Sequence, residues 1–480
     1  MYSQPKTPQS HSPLIALAIM LSLFYLSYLA MTTQAIVFND GWAYENDGKI
    51  LAEGKWQNYF INGPNREPLY PLLVSVAMRL SNIMNVPYLN ALIPIQILCL
   101  VLAQLLMTNI LKKLKITDRL IAAIVLFMGF SPALVNSSLI LYSEILTYPL
   151  ILWNVLTISN AWKNITRITI QQAMLMGMTA GCSFALMTLT KASFEVITAL
   201  AFLPFLALCI QSAIRKNKRL CIHILAFLLT FAVAYQLPIV AIKTLNKKFN
   251  GNFVVTNRSA SILYTSTVRL TEVSFNTDHL LAVASTIPGP EFCNAFRLKE
   301  CYRWGVNYFD KSFEWTMKDV AGQGLSKEEI SPIYMNLIAQ KIVQNPIQYA
   351  LFSGLEGLKL LFWEGTQTAY VTYPDAVERF YNAGGLQHLL RFTVAILNTI
   401  ALMAIFFFLL KKRKSLYDPL QCSDKISLLF WVTFLIVTYM LIMSRFYLTA
   451  RYGLVIAPLL LIVTAWFLDH SFKNKKAQAS

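Results

Sequence analysis

Ten separate apolar runs, each long enough to cross a bilayer as one helix, constrain this chain more than any other feature of its sequence. A hydrocarbon core of about 30 Å takes roughly 20 residues of α-helix. Such runs lie near residues 13–32, 90–111, 119–138, 145–161, 173–190, 194–214, 220–242, 388–410, 426–444 and 452–469. Only 14% of residues are charged, against about 25% in a typical soluble domain, as expected if much of the surface meets lipid. The expected class is an all-α polytopic membrane protein of about ten transmembrane helices, with an outer-face loop domain containing interfacial helices.

The net charge of +17 would suggest nucleic acid as a partner in a soluble protein. Here the cations cluster between the apolar runs, at Lys112-Lys113-Leu114-Lys115, Arg215 to Arg219, Lys411 to Lys414 and Lys473 to Lys476. That is the positive-inside pattern, and it leaves no basic face of a folded domain for nucleic acid. With every basic run in the cytoplasm the spans pair off, and residues 243–387 stay outside. The chain then divides into an N-terminal transmembrane region 1–242 with a first outer loop 33–67, a loop domain 243–387, and a C-terminal transmembrane region 388–480. Run 13–32, preceded by Lys6 and without a small-residue cleavage pattern, reads as an uncleaved anchor. The stretch 68–84 carries Pro71 and Arg79 and reads as juxtamembrane or re-entrant, which is tolerated where protein covers the backbone.

The loop domain holds Trp304, Trp315 and Trp363, enough to start a small core on the membrane surface. Residues 346–363 place apolar groups on a broad helical stripe, with Glu356 and Lys359 on another face. This reads either as an interfacial helix lying among headgroups or as a core helix of the loop domain. Cys293 and Cys301 are expected to form a disulfide in an oxidising compartment. Cys99, Cys182, Cys209 and Cys221 fall within or beside spans and read as buried small hydrophobes. Asn257-Arg258-Ser259 is a glycosylation sequon of the kind that also arises by chance.

Ionisable residues at span ends are functional candidates by default, and four groups of them fall on the outer side. The first runs from Asp40, Trp42, Tyr44, Glu45 and Asp47 to Arg66, Glu67 and Tyr70. The others are Ser143-Glu144, Lys191 with Glu195, and Arg445 with Arg451-Tyr452. A carboxylate there can act as a general base toward a hydroxyl or help hold a divalent ion. Arg and Lys can hold phosphate, Arg through a bidentate fork and Lys as a point charge. Taken singly, each also has a bland reading: a helix cap for Asp40 or Asp47, a snorkelling anchor for Lys191, a headgroup contact for Arg451.

These residues carry a resemblance to the GT-C-type glycosyltransferases, the polyprenyl-phosphate-sugar-dependent superfamily that includes protein mannosyltransferases and the aminoarabinose transferase of lipid A. The family's first-loop pattern, Asp-x-x-x-Tyr-x-x-x-Ala-x-x-Leu-x-x-Gly, is matched by Asp40, Tyr44, Leu51 and Gly54, with Gly48 in place of Ala. Its Arg-Pro-Pro-Gly-Tyr-Pro is matched by Arg66, Pro68, Tyr70 and Pro71, with Glu67 and Leu69 departing. Ser143-Glu144 stands for the Thr/Ser-Glu of the second outer loop, and Arg451-Tyr452 with Pro458 for a late Arg-Tyr motif. Asp40-Gly41 replaces the Asp-Glu of many members, which weakens any metal role that needs adjacent carboxylates.

The resemblance implies a polyprenyl-phosphate-linked sugar as donor and a glycan, lipid or protein hydroxyl as acceptor, with inversion at the anomeric carbon. Asp40 would be the general base and Glu144 would support the acceptor or a divalent metal ion, if one is used. Arg66, Lys191 and Arg451 would stabilise the leaving phosphate, Tyr44 and Trp42 would offer faces to a sugar ring, and Tyr70 and Arg445 would complete the binding site. The implied location is a bacterial inner membrane with the site on the periplasmic side. Rival classes are a lipid-linked glycan transporter or flippase, which would favour repeats and midplane polar groups, and a glycan polymerase or ligase, to which His279 and the arginines of the late loop would belong. A purely structural scaffold is the remaining class.

Overall fold

The computed structural model describes residues 12–38, 40–61, 63–64, 66–322, 327–364, 370–382, 385–412, 423–446 and 449–479. The described chain is a helical bundle with a helical cap at one end. Bundle helices are α1 (Pro13–Thr32), α5 (Tyr88–Lys113), the bent pair α6 (Asp118–Phe130) and α7 (Pro132–Leu139), α8 (Glu144–Asn164), α9 (Ile170–Thr190), α10 (Phe194–Ile214), α11 (Lys218–Asn250), α19 (Leu386–Lys411), α20 (Asp424–Met443) and α21 (Ala457–Ala479). Between α1 and α5 lie α2 (Asp40–Ala52), α3 (Trp56–Ile61) and α4 (Leu69–Met84). The cap comprises α12 (Ser259–Thr271), α13 (Thr277–Ser285), α14 (Pro290–Ala295), α15 (Val306–Gly322), α16 (Lys327–Gln344), α17 (Pro346–Leu358) and α18 (Asp375–Asn382).

Eight of these helices are long and apolar enough to cross a membrane, nine if the bent pair is one span. The protein is a multi-pass membrane protein. Helix α8 is not among the eight, although its 21 residues give about 31 Å at 1.5 Å per residue. Its polar residues Thr147, Asn154 and Ser159 are buried, and the Ser159 hydroxyl meets that of Ser427 on α20 at 2.9 Å. A helix walled by protein can carry polar groups that lipid would exclude. The expected single run 119–138 is instead broken by 51° between α6 and α7. Pro132 has no amide to continue the helix, and the buried Glu364 carboxylate accepts from the Ser131 hydroxyl at 2.6 Å.

Helix α4 has 16 residues and is shorter than the eight. Its Arg79 donates to the carbonyls of Leu51 and Ala52, at 3.0 and 3.2 Å, and so closes the end of α2. Helices α9 and α11 pack backbone to backbone. A Cβ on Gly177 would run into Thr230 and the Phe227 carbonyl, and one on Gly181 would come within 2.5 Å of the Phe231 carbonyl. Small residues four apart permit this approach. Cys182, on α9, is exposed and not the buried hydrophobe expected; Cys209 is buried.

Helix α11 continues to Asn250, beyond the expected boundary at 242. The extra turns prop the first loop, with Phe249 stacked on Phe60 at 6.2 Å and the Asn250 amide on the Gly63 carbonyl. Two of the basic runs meet at the opposite end. There Lys473 donates to the Lys115 carbonyl at 3.0 Å, Lys113 to Asn160 at 3.1 Å, and Lys163 pairs with Asp424. A two-stranded antiparallel pairing, β1 (Gln34–Ala35) with β2 (Val371–Thr372), ties the first loop to the cap.

The cap has its own core around Leu270, Val283, Trp304 and Phe352, clipped by the Cys293–Cys301 disulfide. Trp363 belongs instead to the bundle core, and the side chain of Trp315 lies outside the described residues. Glu356 and Lys359 do not face headgroups. Both are buried, Glu356 accepting from Arg269 at 2.9 Å and from Lys359 at 2.8 Å, because a buried charge requires a partner. Ile347, Leu351 and Leu358 face outward instead, so α17 turns an apolar stripe to its surroundings and its charges inward.

Candidate functional site

The helical period places Asp40, Tyr44 and Leu51 on one face of α2, since residues at i, i+4 and i+11 fall in line. The sequence pattern around Asp40 is therefore one side of a helix. Tyr44 and Leu51 are buried, and Asp40, at its first turn, stays partly open. Gly48 lies on the same face because a Cβ there would come within 2.6 Å of Val74 on α4. That contact accounts for glycine where the resembling family has alanine.

Five side chains from separate parts of the chain form a continuous run of alternating charge. Asp40 pairs with Arg66 through one oxygen and accepts from Arg451 through the other at 2.6 Å. Arg451 also reaches Glu144 at 3.8 Å, and Glu144 accepts from Lys191 at 3.2 Å. Each comes from a chain end or junction: the start of α2, the turn before α4, the first residue of α8, the junction of α9 with α10, and the 3-10 turn Ala450–Ile456 before α21. Burial opposes ionisation of Asp40, but the Arg451 and Arg66 guanidiniums outweigh it and hold its carboxyl down at about 2.

Aromatic rings line the cations. The Arg451 guanidinium lies 4.6 Å from the Tyr142 ring centre and 5.4 Å from that of Tyr452, and Arg66 lies 5.4 Å from that of Tyr44. Tyr44 meets Tyr70 edge to face at 4.8 Å and bonds Ser143 at 2.9 Å. Tyr70 is fully buried behind it and donates to Gln96 at 2.6 Å. Burial lifts the Tyr44 hydroxyl to about 12. Both rings are buried, Tyr44 against the Arg66 guanidinium and Tyr70 behind Tyr44.

The other expected residues stand apart from this run. Trp42 is exposed and packs against Phe38 at 5.5 Å. Arg445 is exposed and, among the described residues, joins no ion pair of the site. Glu195 pairs with Lys243. The sequon residue Asn257 is half-buried, its amide donating to the Gly63 carbonyl at 3.1 Å. His279 and Arg269, the loop residues a ligase reading would use, are buried in and around the cap core.

Glu67 and Asp47 fell among the outer-face groups read from sequence but were given no part in the reaction, and Asp310 was not singled out. Glu67 is buried and accepts from the Ala192 amide at 3.0 Å, just before α10. Asp47 is buried with one oxygen unpartnered, and burial pushes it up to about 6 against the pull of Arg66. Tyr142, in the same outer-face group as Ser143-Glu144, carries the Arg451 contact. Asp310 on α15 is raised by burial and by the charge of Asp40, which brings a cap helix to the site.

Among the described residues no group of three or more His, Cys, Asp or Glu is placed to hold a metal ion. The place between Asp40 and Glu144 is taken by the Arg451 guanidinium.

Two cavities adjoin the run. An apolar groove of about 590 Å³ lies between α4, α5, α8 and α9, walled by Leu69, Leu72, Val76, Cys99, Leu146 and Leu186 among others. Leu69 and Leu146 each lie within a turn of Arg66 and Glu144 along the chain. A second cavity of about 530 Å³ lies on the cap side of Arg66. No protein-family model, curated protein or solved structure matches the chain.

Proposed function

We propose that this protein is a membrane glycosyltransferase that moves a sugar from a polyprenyl-phosphate donor to an acceptor hydroxyl at the cap face, the outer or periplasmic face of a bacterial inner membrane. The observation that carries this reading is the apolar groove beside a part-buried run of three cations and two carboxylates. A prenyl tail fits the groove, and Arg66, Lys191 and Arg451 are the charges that meet its phosphate. A lipid-phosphate leaving group needs cationic stabilisation more than protonation.

Asp40 is the general base. With both guanidiniums on it Asp40 is a weak one, because they hold it near 2 and a base works best near the working pH. A donor phosphate competes for Arg66 and Arg451, and as they turn to it Asp40 gains basicity beside the acceptor. Glu144 keeps Lys191 and Arg451 oriented from behind. The charged groups gather at one end of the bundle, which favours this reading over a transporter with a midplane site. Burial of His279 and Arg269 in the cap core likewise gives no support to a late-loop polymerase or ligase site.

The test is mass spectrometry of surface glycans and polyprenyl-linked sugars from cells lacking the protein, complemented with wild type or Asp40→Asn. The expected result is one sugar missing from a glycan, its lipid-linked donor accumulating, and rescue by wild type alone. Full rescue by Asp40→Asn would remove Asp40 as the base and bring the transporter or ligase reading forward.

A further inference from the structure

The cavity on the cap side of Arg66 is built differently from the lipid groove. Its walls come from the first loop, the start of α12, and helices α15 and α16. Two arginines, Arg66 and Arg258, line it, and among the described residues no carboxylate does; Asp310, one turn before Phe313 on α15, is not part of the lining. The first turn of α12, Ser259 to Ser261, also lines it. Amides of a first helical turn have no helical carbonyl to bind and favour negative charge.

A second observation concerns Arg66 itself. Arg66 is more than nine-tenths buried, and its Nε has no hydrogen-bond partner. The same guanidinium holds Asp40 through Nη2, and Arg66 is part of the cavity wall. A buried guanidinium N–H without a partner is costly, and an anion in the cavity would satisfy it. Phe313 and Phe446 add aromatic surface, and Thr256 and Ser261 add hydroxyls. The volume of about 530 Å³ lies within the range of small-molecule sites.

We infer that this cavity binds a hydroxylated, glycan-like group carrying phosphate or carboxylate, its anion held by Arg66, Arg258 and the α12 amides. Its role as the acceptor subsite rests on the transferase reading. With the anion anchored there, an acceptor hydroxyl reaches Asp40 from the side opposite the lipid groove. Donor and acceptor then enter by separate routes and meet across Arg66.

The test is hydrogen–deuterium exchange mass spectrometry on the full chain in nanodiscs, with glucose 6-phosphate, glucose, inorganic phosphate or farnesyl phosphate as probes. Glucose 6-phosphate is expected to slow exchange across residues 256–263 and to bind more tightly than inorganic phosphate, while glucose has no effect. Arg258→Gln should weaken it about tenfold or more, the loss of a charged hydrogen bond, and Arg258→Lys should keep much of the affinity. Farnesyl phosphate should protect the groove residues 99–106 equally in all three proteins, which shows that the variants are folded. Equal protection by glucose, unchanged affinity in Arg258→Gln, or inorganic phosphate binding as tightly as the sugar phosphate would overturn the inference. So would protection of 256–263 by farnesyl phosphate alone, which would make the cavity part of the donor site. Failure of the transferase reading is separate: Asp40→Asn would complement fully while sugar-phosphate protection of 256–263 remained.

Discussion

Two aspartates seven residues apart on α2 have opposite electrostatic fates. Asp40 is held at about 2 by two guanidiniums, whereas burial lifts Asp47 to about 6. The first contribution to stability is present above the ordinary carboxylate value and is lost as pH falls through about 2. The second runs the other way, present at low pH and lost as pH rises through about 6. Asp47→Asn should therefore raise thermal stability at pH 8, by up to about 3 kcal/mol for a shift near two units, with little change at pH 4. Melting curves of wild type and variant at the two pH values check this; equal gains at both would separate Asp47 from the pH dependence. In the proposed reaction, Asp40→Asn should lower turnover by about 10²–10⁴-fold without loss of fold, read as sugar transfer by the purified protein. Arg451→Lys should also be slow, because one ammonium cannot span Asp40 and Glu144 as the guanidinium does.

At the scale of elements, the α9–α11 contact and the groove beside α4 make separate demands. Gly181→Leu would force apart backbones in direct contact, and overpacking of this kind costs about 1–3 kcal/mol or more. A lower melting temperature in detergent is expected; an unchanged one would mean that the helices already have slack. Leu72→Trp would fill the lipid groove without touching the charged run. It should raise the KM for a prenyl-phosphate donor while leaving kcat nearly unchanged, and a fall in kcat alone would place the tail elsewhere. Cys99 lines the same groove, so a bound prenyl phosphate should protect it from a membrane-permeant thiol reagent.

The whole molecule joins a bundle to a cap through several specific ties, among them β1 with β2, Glu364 at the α6–α7 break, and Arg391 of α19 on Glu291 and the Pro288 carbonyl. The cap core depends in part on its disulfide, and Cys293→Ser with Cys301→Ser should cost about 2–5 kcal/mol. Protease sensitivity confined to the cap would show this, and a chain that unfolds as one unit would show tighter coupling. Much of this architecture was legible in sequence. The apolar runs appear as helices because every backbone amide in a bilayer must be satisfied within the chain, and the basic runs for which contacts are described gather at one end. Asp40, Tyr44, Arg66, Glu144, Lys191 and Arg451 were also readable, since ionisable groups at span ends are rare enough to stand out. Hydropathy and spacing do determine that much.

What they do not determine is which of those residues face each other. Periodicity puts Tyr44 on one side of α2, but packing against α4 and Arg66 decides that it is sealed from any ligand. Trp42, two residues before it, lies on the exposed side for the same reason. Hydropathy left helix α17 open between an interfacial helix and a core helix of the loop domain; Arg269, 87 positions earlier in the chain, decides the placement of Glu356 by supplying a buried partner. The break at Pro132, the overshoot of α11 and the cavity on the far side of Arg66 likewise depend on contacts between residues far apart in the chain. Local composition sets where a helix forms and whether it suits lipid or water. Only tertiary packing decides which charges are paired, which are left without a partner, and where space remains for a ligand.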